Sequence, residues 1–348
     1  KKTCLKTLLS AAHSCSFPEQ SDFHRDIASG ILWKPSAYRK RKERKQYSFR
    51  ELMTTPELAA KVTLLPVEDL GVDAAIIFSD ILTIPTAMGM EIEWTDKGPV
   101  FHNPLINAQN PHKSLSPNSD KLSFVYKAIE LVKKQSDTPL LGFCGAPLTT
   151  LFYMLQGTSL KHEFPEARKF IYQNKKETEL LIDAVTEFSI EYANQQISRG
   201  VDAFQLFDTH AGLMPLDIYK DMFIPAVRRI ADAVRSKGIP FIFFPKGLGA
   251  GLNLVTPDLC DFVSIDWQTS LSQARQLVHP QVGLQGNIDP MLLFAPKEEI
   301  ISCMEKNYKP FFADNPGWIL NLGHGVMPNT PFQNIKYLTD WIKATNWI

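Results

Sequence analysis

From Thr55 onward the chain alternates between apolar stripes at helical spacing and short, continuous apolar runs. Pro56 stands at a helix start after Thr55, and Leu58, Val62 and Leu65 recur on one face until Pro66, which kinks or ends the helix. A connector to Gly71 leads into Ala74–Phe78, five apolar residues in a row that stop abruptly at Ser79 and Asp80. A strand with one wet face would alternate apolar and polar residues. The unbroken run therefore predicts a parallel strand covered on both faces, delivering one acid at its end.

The pairing of stripe and run recurs. Tyr126–Lys134 precedes the run Pro139–Cys144, and Leu181, Val185, Phe188 and Tyr192 form a stripe ahead of Gly200 and Ala203–Phe207. A helix over Ile218–Val234, kinked at Pro225, ends at Lys237-Gly238 and is followed by Pro240–Phe244. Further runs lie at Phe262–Ile265, Val282–Leu284 and Trp318–Leu320, the last after a helix over about Glu298–Asn307. Counted from Ala74 these make seven units, and a strand at Gly30–Trp33 would complete the eight of a (β/α)8 TIM barrel. A doubly wound α/β sheet is the other arrangement the pattern allows. Polar residues at nearly every strand end favour the barrel: Ser79 and Asp80, Asp208 to His210, Lys246, Asp266, Asn287 and Asp289, then Asn321 and His324. In a closed barrel those ends converge on one face, whereas an open sheet spreads them along an edge. The expected organisation is one domain over residues 1–348, with 1–46 an atypical basic N-terminal segment.

Composition narrows the partners more than the fold. At 44% hydrophobic and 21% charged, the 348 residues match an ordinary globular protein. Lys plus Arg and Asp plus Glu are equal at 37 each, so there is no bulk attraction to nucleic acid or an acidic membrane, and an anionic ligand must meet a local patch. The densest positive patch runs from Arg39 to Lys45. It reads as a solvated helix face or mobile arm, or else as an anion site through Arg39, Arg41 and Lys42. Five scattered cysteines do not form a disulfide framework and predict a reducing, cytoplasmic setting. No apolar run approaches the roughly 20 residues of a membrane span, and no targeting segment is read at the N-terminus.

Familiar catalytic motifs are absent. Gly247, Gly249 and Gly251 are spaced two apart and read as a flexible loop, not a dinucleotide turn. There is no P-loop, no His-Glu-x-x-His and no Gly-x-Ser-x-Gly, so neither a metal nor a cofactor is predicted. What remains is a set of polar residues in strand-end loops. Asp80 suits either function or capping of the next helix. His210 reads as a packed structural histidine. His324 lies between two glycines that would let backbone and side chain approach a ligand closely.

Several blocks resemble the uroporphyrinogen decarboxylase family: GVDAAIIFSDIL at 71–82 with the following AMGMEIEW and KGPVF, LLGFCGAPLTTLFYMLQG from 140, FQLFDTHAG from 204, LQGNIDP from 284 and NLGHGVMPNTP from 321. They lie in the family's order and cover the chain from about residue 50. The resemblance implies a single-domain (β/α)8 barrel, a homodimer, and cofactor-free conversion of uroporphyrinogen III to coproporphyrinogen III by loss of carboxyl groups from four acetate side chains. The family's central aspartate, which accepts hydrogen bonds from pyrrole N–H groups, matches Asp80. Its tyrosine over the site matches Tyr153, its Ser-or-Thr position Thr209 and its histidine His324. Phe78 and Phe207 match pocket-lining positions. The implied catalytic set is thus Asp80, Tyr153 and His324.

The chain departs from the family at its N-terminus. Members carry Trp-x-Met-Arg-Gln-Ala-Gly-Arg-Tyr-Leu-Pro after the first strand, with two arginines that bind substrate carboxylates. This chain reads Trp33-Lys34-Pro35, with family-like residues again at Tyr38-Arg39 and Tyr47-Ser48-Phe49. Three readings follow: the Arg39–Lys45 cluster supplies the charge, the chain is a relative without decarboxylase activity, or the arginine block is missing from between two intact flanks. The tidy junction favours the third. Two other functions compete. Zinc methyltransferases with the same barrel place His-x-Cys where this chain has Phe244-Pro245-Lys246, and a non-catalytic porphyrinogen-binding homologue would bind without turnover.

Overall fold

The computed structural model describes residues 47–348 apart from 96–97, 159–162, 316, 328 and 348. Among them the strands are β1 (Ala75–Ile76), β2 (Ile92–Thr95), β3 (Gly98–Phe101), β4 (Leu140–Gly145), β5 (Ala203–Asp208), β6 (Phe241–Pro245), β7 (Phe262–Ser264), β8 (Gly283–Ile288) and β9 (Trp318–Leu322). β2 and β3 form an antiparallel hairpin. The other seven make one sheet in the order β1-β4-β5-β6-β7-β8-β9, parallel throughout.

That order removes the doubly wound alternative. Each strand lies beside the next parallel strand in the chain, and no step turns back as a doubly wound sheet must at its switch point. The sheet also curls on itself. Gln285 Nε2 on β8 donates to Gln205 Oε1 on β5 at 3.2 Å, although β6 and β7 lie between them. Side chains from such strands meet only across a barrel interior. At the two ends of the sheet, the helix Pro56–Leu70 that leads into β1 packs against the helix Phe332–Ala344 that follows β9. The molecule is an α/β TIM-type barrel with seven described strands. The Gly30–Trp33 strand and the Arg39, Arg41 and Lys42 cluster lie outside the described residues.

Local chemistry explains where several elements differ from expectation. The first helix continues through Pro66 to Leu70 and is ended by Gly71, whose φ of 72° is a left-handed cap that suits glycine. The region 218–234 is not one kinked helix: Leu216–Ile218 passes through a π turn, Tyr219–Phe223, into Ile224–Arg235. The same happens at Lys297–Cys303, the π turn Met304–Tyr308 and Lys309–Asp314. Both wide turns end just before an X-Pro step, Ile224-Pro225 and Lys309-Pro310. The proline has no N–H to give and its ring displaces the carbonyl four residues back, so the ladder widens instead of continuing. The glycine-rich stretch is not a loose loop, since Gly249–Leu254 forms a 3-10 turn. The helices Pro147–Gln156, Pro165–Gln173 and Phe332–Ala344 went unpredicted.

The core lies in two shells. Phe204 and Leu206 on β5, with Phe241 and Phe243 on β6, are fully buried on the outer face of the sheet, and the Leu181, Val185, Phe188 and Tyr192 stripe is buried on the long helix Lys175–Ser198. Each such side chain contributes about 1.5–3 kcal/mol of burial. Inside the barrel, Gln205, Gln285 and Ser264 are buried together, with Gln285 Nε2 also donating to Ser264 Oγ at 3.2 Å.

Candidate active site

The pleat decides which strand-end residues share the barrel mouth. The register pairs Phe143 with Gln205 and Phe207 with Phe244, and residues level with each other share a face. Counting on from the Ile76–Leu141 pair brings Phe78 level with Phe143. The rings bear this out: Phe143 and Phe207 meet edge-to-face at 5.4 Å, and Phe207 and Phe244 at 6.0 Å. Phe49 closes on Phe78 at 5.9 Å. The mouth therefore has an aromatic wall, of which sequence reading singled out Phe78 and Phe207 and passed over Phe143 and Phe244. A strict count of alternate positions along β4 and β6 would have found both.

Asp80 follows Phe78 by two residues and is half-buried. Its Oδ1 accepts a hydrogen bond from the Leu82 N–H at 2.9 Å, and its carbonyl accepts one from the Thr83 hydroxyl at 2.9 Å. The bond is a turn contact two residues on and not a helix cap, since the helix Thr83–Ala87 has no side-chain cap. The bond to Leu82 fixes the carboxylate where the chain turns into the helix Thr83–Ala87.

At the end of β5 the alternation separates two neighbours. Asp208 points outward into the helix layer, where its Oδ1 accepts from Thr149 Oγ1 at 2.6 Å and its Oδ2 from the Tyr219 hydroxyl at 2.7 Å. Full burial pushes the Asp208 pKa up to about 6, against the lowering effect of the bonds from Thr149 and Tyr219. Thr149 Oγ1 in turn accepts from the His210 N–H at 3.1 Å, so the network pins the turn that carries half-buried Thr209. Neither Thr149 nor Tyr219 carried a signal in sequence, because the contacts join residues 59 and 11 positions from Asp208. His210 is the packed histidine expected, its ring 4.8 Å from Phe164, 5.7 Å from Tyr153 and 6.3 Å from Phe152. Tyr153, half-buried on the helix after β4, packs on Phe164 at 4.9 Å and so stands beside the Thr209–His210 turn.

Opposite these lies a second group. His324 stands edge-on to Trp267 at 5.7 Å and to Phe244 at 6.5 Å, which joins the exits of β9, β7 and β6. Lys246 Nζ lies 5.6 Å from the centre of the Trp267 ring. Burial pulls the Lys246 pKa down, and Asp266 works against it. Asp266 itself accepts from the Gly247 N–H at 2.6 Å and the Gln268 N–H at 2.9 Å. Among the described residues no group of three or more His, Cys, Asp and Glu side chains could hold a metal ion.

The family model for uroporphyrinogen decarboxylase matches residues 36–345. The chain belongs to the uroporphyrinogen decarboxylase family. It is 37% identical over 302 residues to a uroporphyrinogen decarboxylase of Geobacter metallireducens, covering 86% of this chain and 88% of that one. It is 39% identical over 314 residues to one of Coxiella burnetii, covering 88% and 86%. Among solved structures, a methyltransferase from Methanosarcina mazei shares the fold at a TM-score of 0.70 with 20% identity over 98% of both chains. Membership in the uroporphyrinogen decarboxylase family agrees with the order of the sequence blocks, and the family match begins just past the Lys34-Pro35 junction.

Proposed function

We propose that this chain is a uroporphyrinogen decarboxylase, removing the carboxyl groups of four acetate side chains from uroporphyrinogen III to give coproporphyrinogen III. Two observations support the reading: the Phe78, Phe143, Phe207 and Phe244 wall, and Asp80, two residues after Phe78, with its Oδ1 held by the Leu82 N–H. An aromatic wall suits the apolar faces of the pyrrole rings, and a single fixed carboxylate suits the pyrrole N–H groups at the centre of the macrocycle.

The chemistry follows from charge. Protonation of a pyrrole carbon beside the acetate makes the ring cationic, and the electrons of the breaking C–C bond then flow into the ring as carbon dioxide leaves. A second proton on the exocyclic carbon gives the methyl group, and the ring carbon releases the first, so each acetate takes up one proton net as it loses one carbon dioxide. Asp80 stabilises the cation as it develops. At an effective dielectric of about 20 and a separation of about 4 Å the pair is worth about 4 kcal/mol, nearly a thousandfold in rate if it arises mainly in the transition state. Tyr153 and Thr209 line one side of the macrocycle and His324 the other, with Phe78 and Phe207 against its face. No electron-sink cofactor enters this scheme.

The reading extends to the whole protein: a single domain whose residues 1–46 are an atypical basic segment, in which Arg39, Arg41 and Lys42 serve as an anion site, acting as a cytoplasmic homodimer. The scattered cysteines support a reducing compartment, and exposed Met291, Phe294 and Met327 on the β8 and β9 loops support a self-contact. Anaerobic incubation with uroporphyrinogen III, followed by chromatography of the oxidised products, tests the activity. Binding without turnover would favour the non-catalytic homologue, and stoichiometric zinc with no porphyrinogen binding would favour a methyltransferase.

A further inference from the structure

A substrate with eight carboxylates is held by cations. The strand-end segments 77–83, 143–148, 206–212, 243–249, 264–269, 286–291 and 320–326 contain no arginine and a single lysine, Lys246.

Its position follows from β6. Phe244 faces the mouth, since its ring meets both Phe207 and His324. The Lys246 N–H donates to the Asp208 carbonyl at 3.0 Å, which carries the β5–β6 pairing one step past Pro245. The period of two then puts Lys246 on the same side as Phe244. Its Nζ rests over the Trp267 ring at 5.6 Å, and that ring is edge-on to His324. Trp267 is 38% exposed, so the platform beneath the ammonium is open to solvent.

The charge there is unspent. Among the described residues no carboxylate forms an ion pair with Lys246, and Asp266, the acid whose charge it feels, is engaged by the Gly247 and Gln268 N–H groups. A half-buried ammonium over an aromatic face has lost water, and the carboxylate whose charge it feels makes no ion pair with it. An arriving carboxylate offsets that loss, which is the arrangement of a binding site for an anion.

We infer that Lys246 binds substrate: its ammonium, carried on Trp267 beside His324, receives an acetate or propionate carboxylate of the porphyrinogen. The assignment rests on the proposed decarboxylase reading and adds a cation from the β6 exit to whatever the N-terminal segment supplies.

The test compares wild type, Lys246→Met and Lys246→Arg by anaerobic kinetics with uroporphyrinogen III and by anaerobic titration with coproporphyrinogen III. Lys246→Met is expected to raise KM and the product Kd roughly 10- to 100-fold, with kcat changed little, because one charge-assisted hydrogen bond is lost. Lys246→Arg is expected to recover most of the loss, and added salt to weaken binding less in Lys246→Met than in wild type. Unchanged KM and Kd in Lys246→Met, or Lys246→Arg as poor as Lys246→Met, overturns the assignment. Should Lys246→Met not fold, reductive methylation of wild type decides the matter, since saturating coproporphyrinogen III must protect Lys246 and full labelling would overturn it. A wild type that neither binds nor converts porphyrinogen defeats the decarboxylase reading, whereas normal turnover with an indifferent Lys246 defeats only this inference.

Discussion

Gly323 and Trp267 meet backbone to backbone, so closely that a Cβ on Gly323 would lie 2.4 Å from the Trp267 amide nitrogen. The glycine before His324 makes room for the protein's own backbone. The contact presses the exit of β9 against that of β7 and sets His324 edge-on to Trp267. Gly323→Ala must push the two loops apart, at about 1–3 kcal/mol for overpacking. The expected result is a folded protein with a lower melting temperature and kcat/KM reduced at least tenfold. Wild-type kcat/KM in this variant would show that the spacing of His324 from Trp267 does not matter.

Two substitutions separate the hydrogen bond that Asp80 makes from the charge role proposed for it. Asp80→Asn keeps an oxygen for the Leu82 N–H and loses the charge, whereas Asp80→Ala loses both. Asp80→Asn is expected to melt near wild type with kcat down about a hundred- to a thousandfold, from the charge–charge estimate above. Asp80→Ala should lose about a further 1 kcal/mol of stability, the value of one intramolecular hydrogen bond. Steady-state kinetics and thermal melts read the two effects, and equal kcat in all three proteins would end the proposed role for the carboxylate.

Asp208 makes stability depend on pH in a defined direction. Its pKa rises from an ordinary 3.8 to about 6 on folding, so the unfolded chain gives up this proton first as pH climbs. The stabilisation from the protonated form is complete below about pH 4 and is lost as pH passes through 6. Two pKa units correspond to about 3 kcal/mol. Asp208→Asn cannot ionise, so its stability relative to wild type should improve by roughly that amount between pH 4 and 7. Denaturant unfolding at several pH values checks this, and a constant difference would refute it.

The N-terminal departure has its own test. Inserting Met-Arg-Gln-Ala-Gly-Arg-Tyr-Leu between Lys34 and Pro35, so that Pro35 completes the family's block, supplies two arginines for an octa-anionic substrate. Turnover of uroporphyrinogen III should rise by at least tenfold, in line with the value of charge-assisted bonds to carboxylates. Equal turnover with and without the block would indicate that Arg39 to Lys45 already does the work.

Much of the site was legible because it is written in short stretches. The run Ala74–Phe78 and its terminal Asp80 announced a covered strand ending in an acid, and β1 lies there, assigned over Ala75–Ile76 with Ile77 N still bonded to Leu141 O at 3.0 Å. The stripe on Lys175–Ser198 and the packed nature of His210 were equally plain, since each depends on neighbours along the chain or on a single helical face. Strand-end polarity suggested a mouth but not who faces it. Asp208 and Thr209 looked alike as polar loop residues, and only the pleat sends the first into the helix layer.

Apolar periodicity and the order of the blocks therefore determined the alternation of helices and parallel strands, the family, and the location of Asp80, because these are properties of local spacing. The curl of the sheet, the Asp208–Thr149–Tyr219 network, the partnership of Lys246 with Trp267 and the fit of Gly323 against Trp267 were decided in three dimensions. Each joins residues far apart in the chain, and a contact of that kind has no period to read; it exists only once the strands are in register and the barrel closes them onto one mouth.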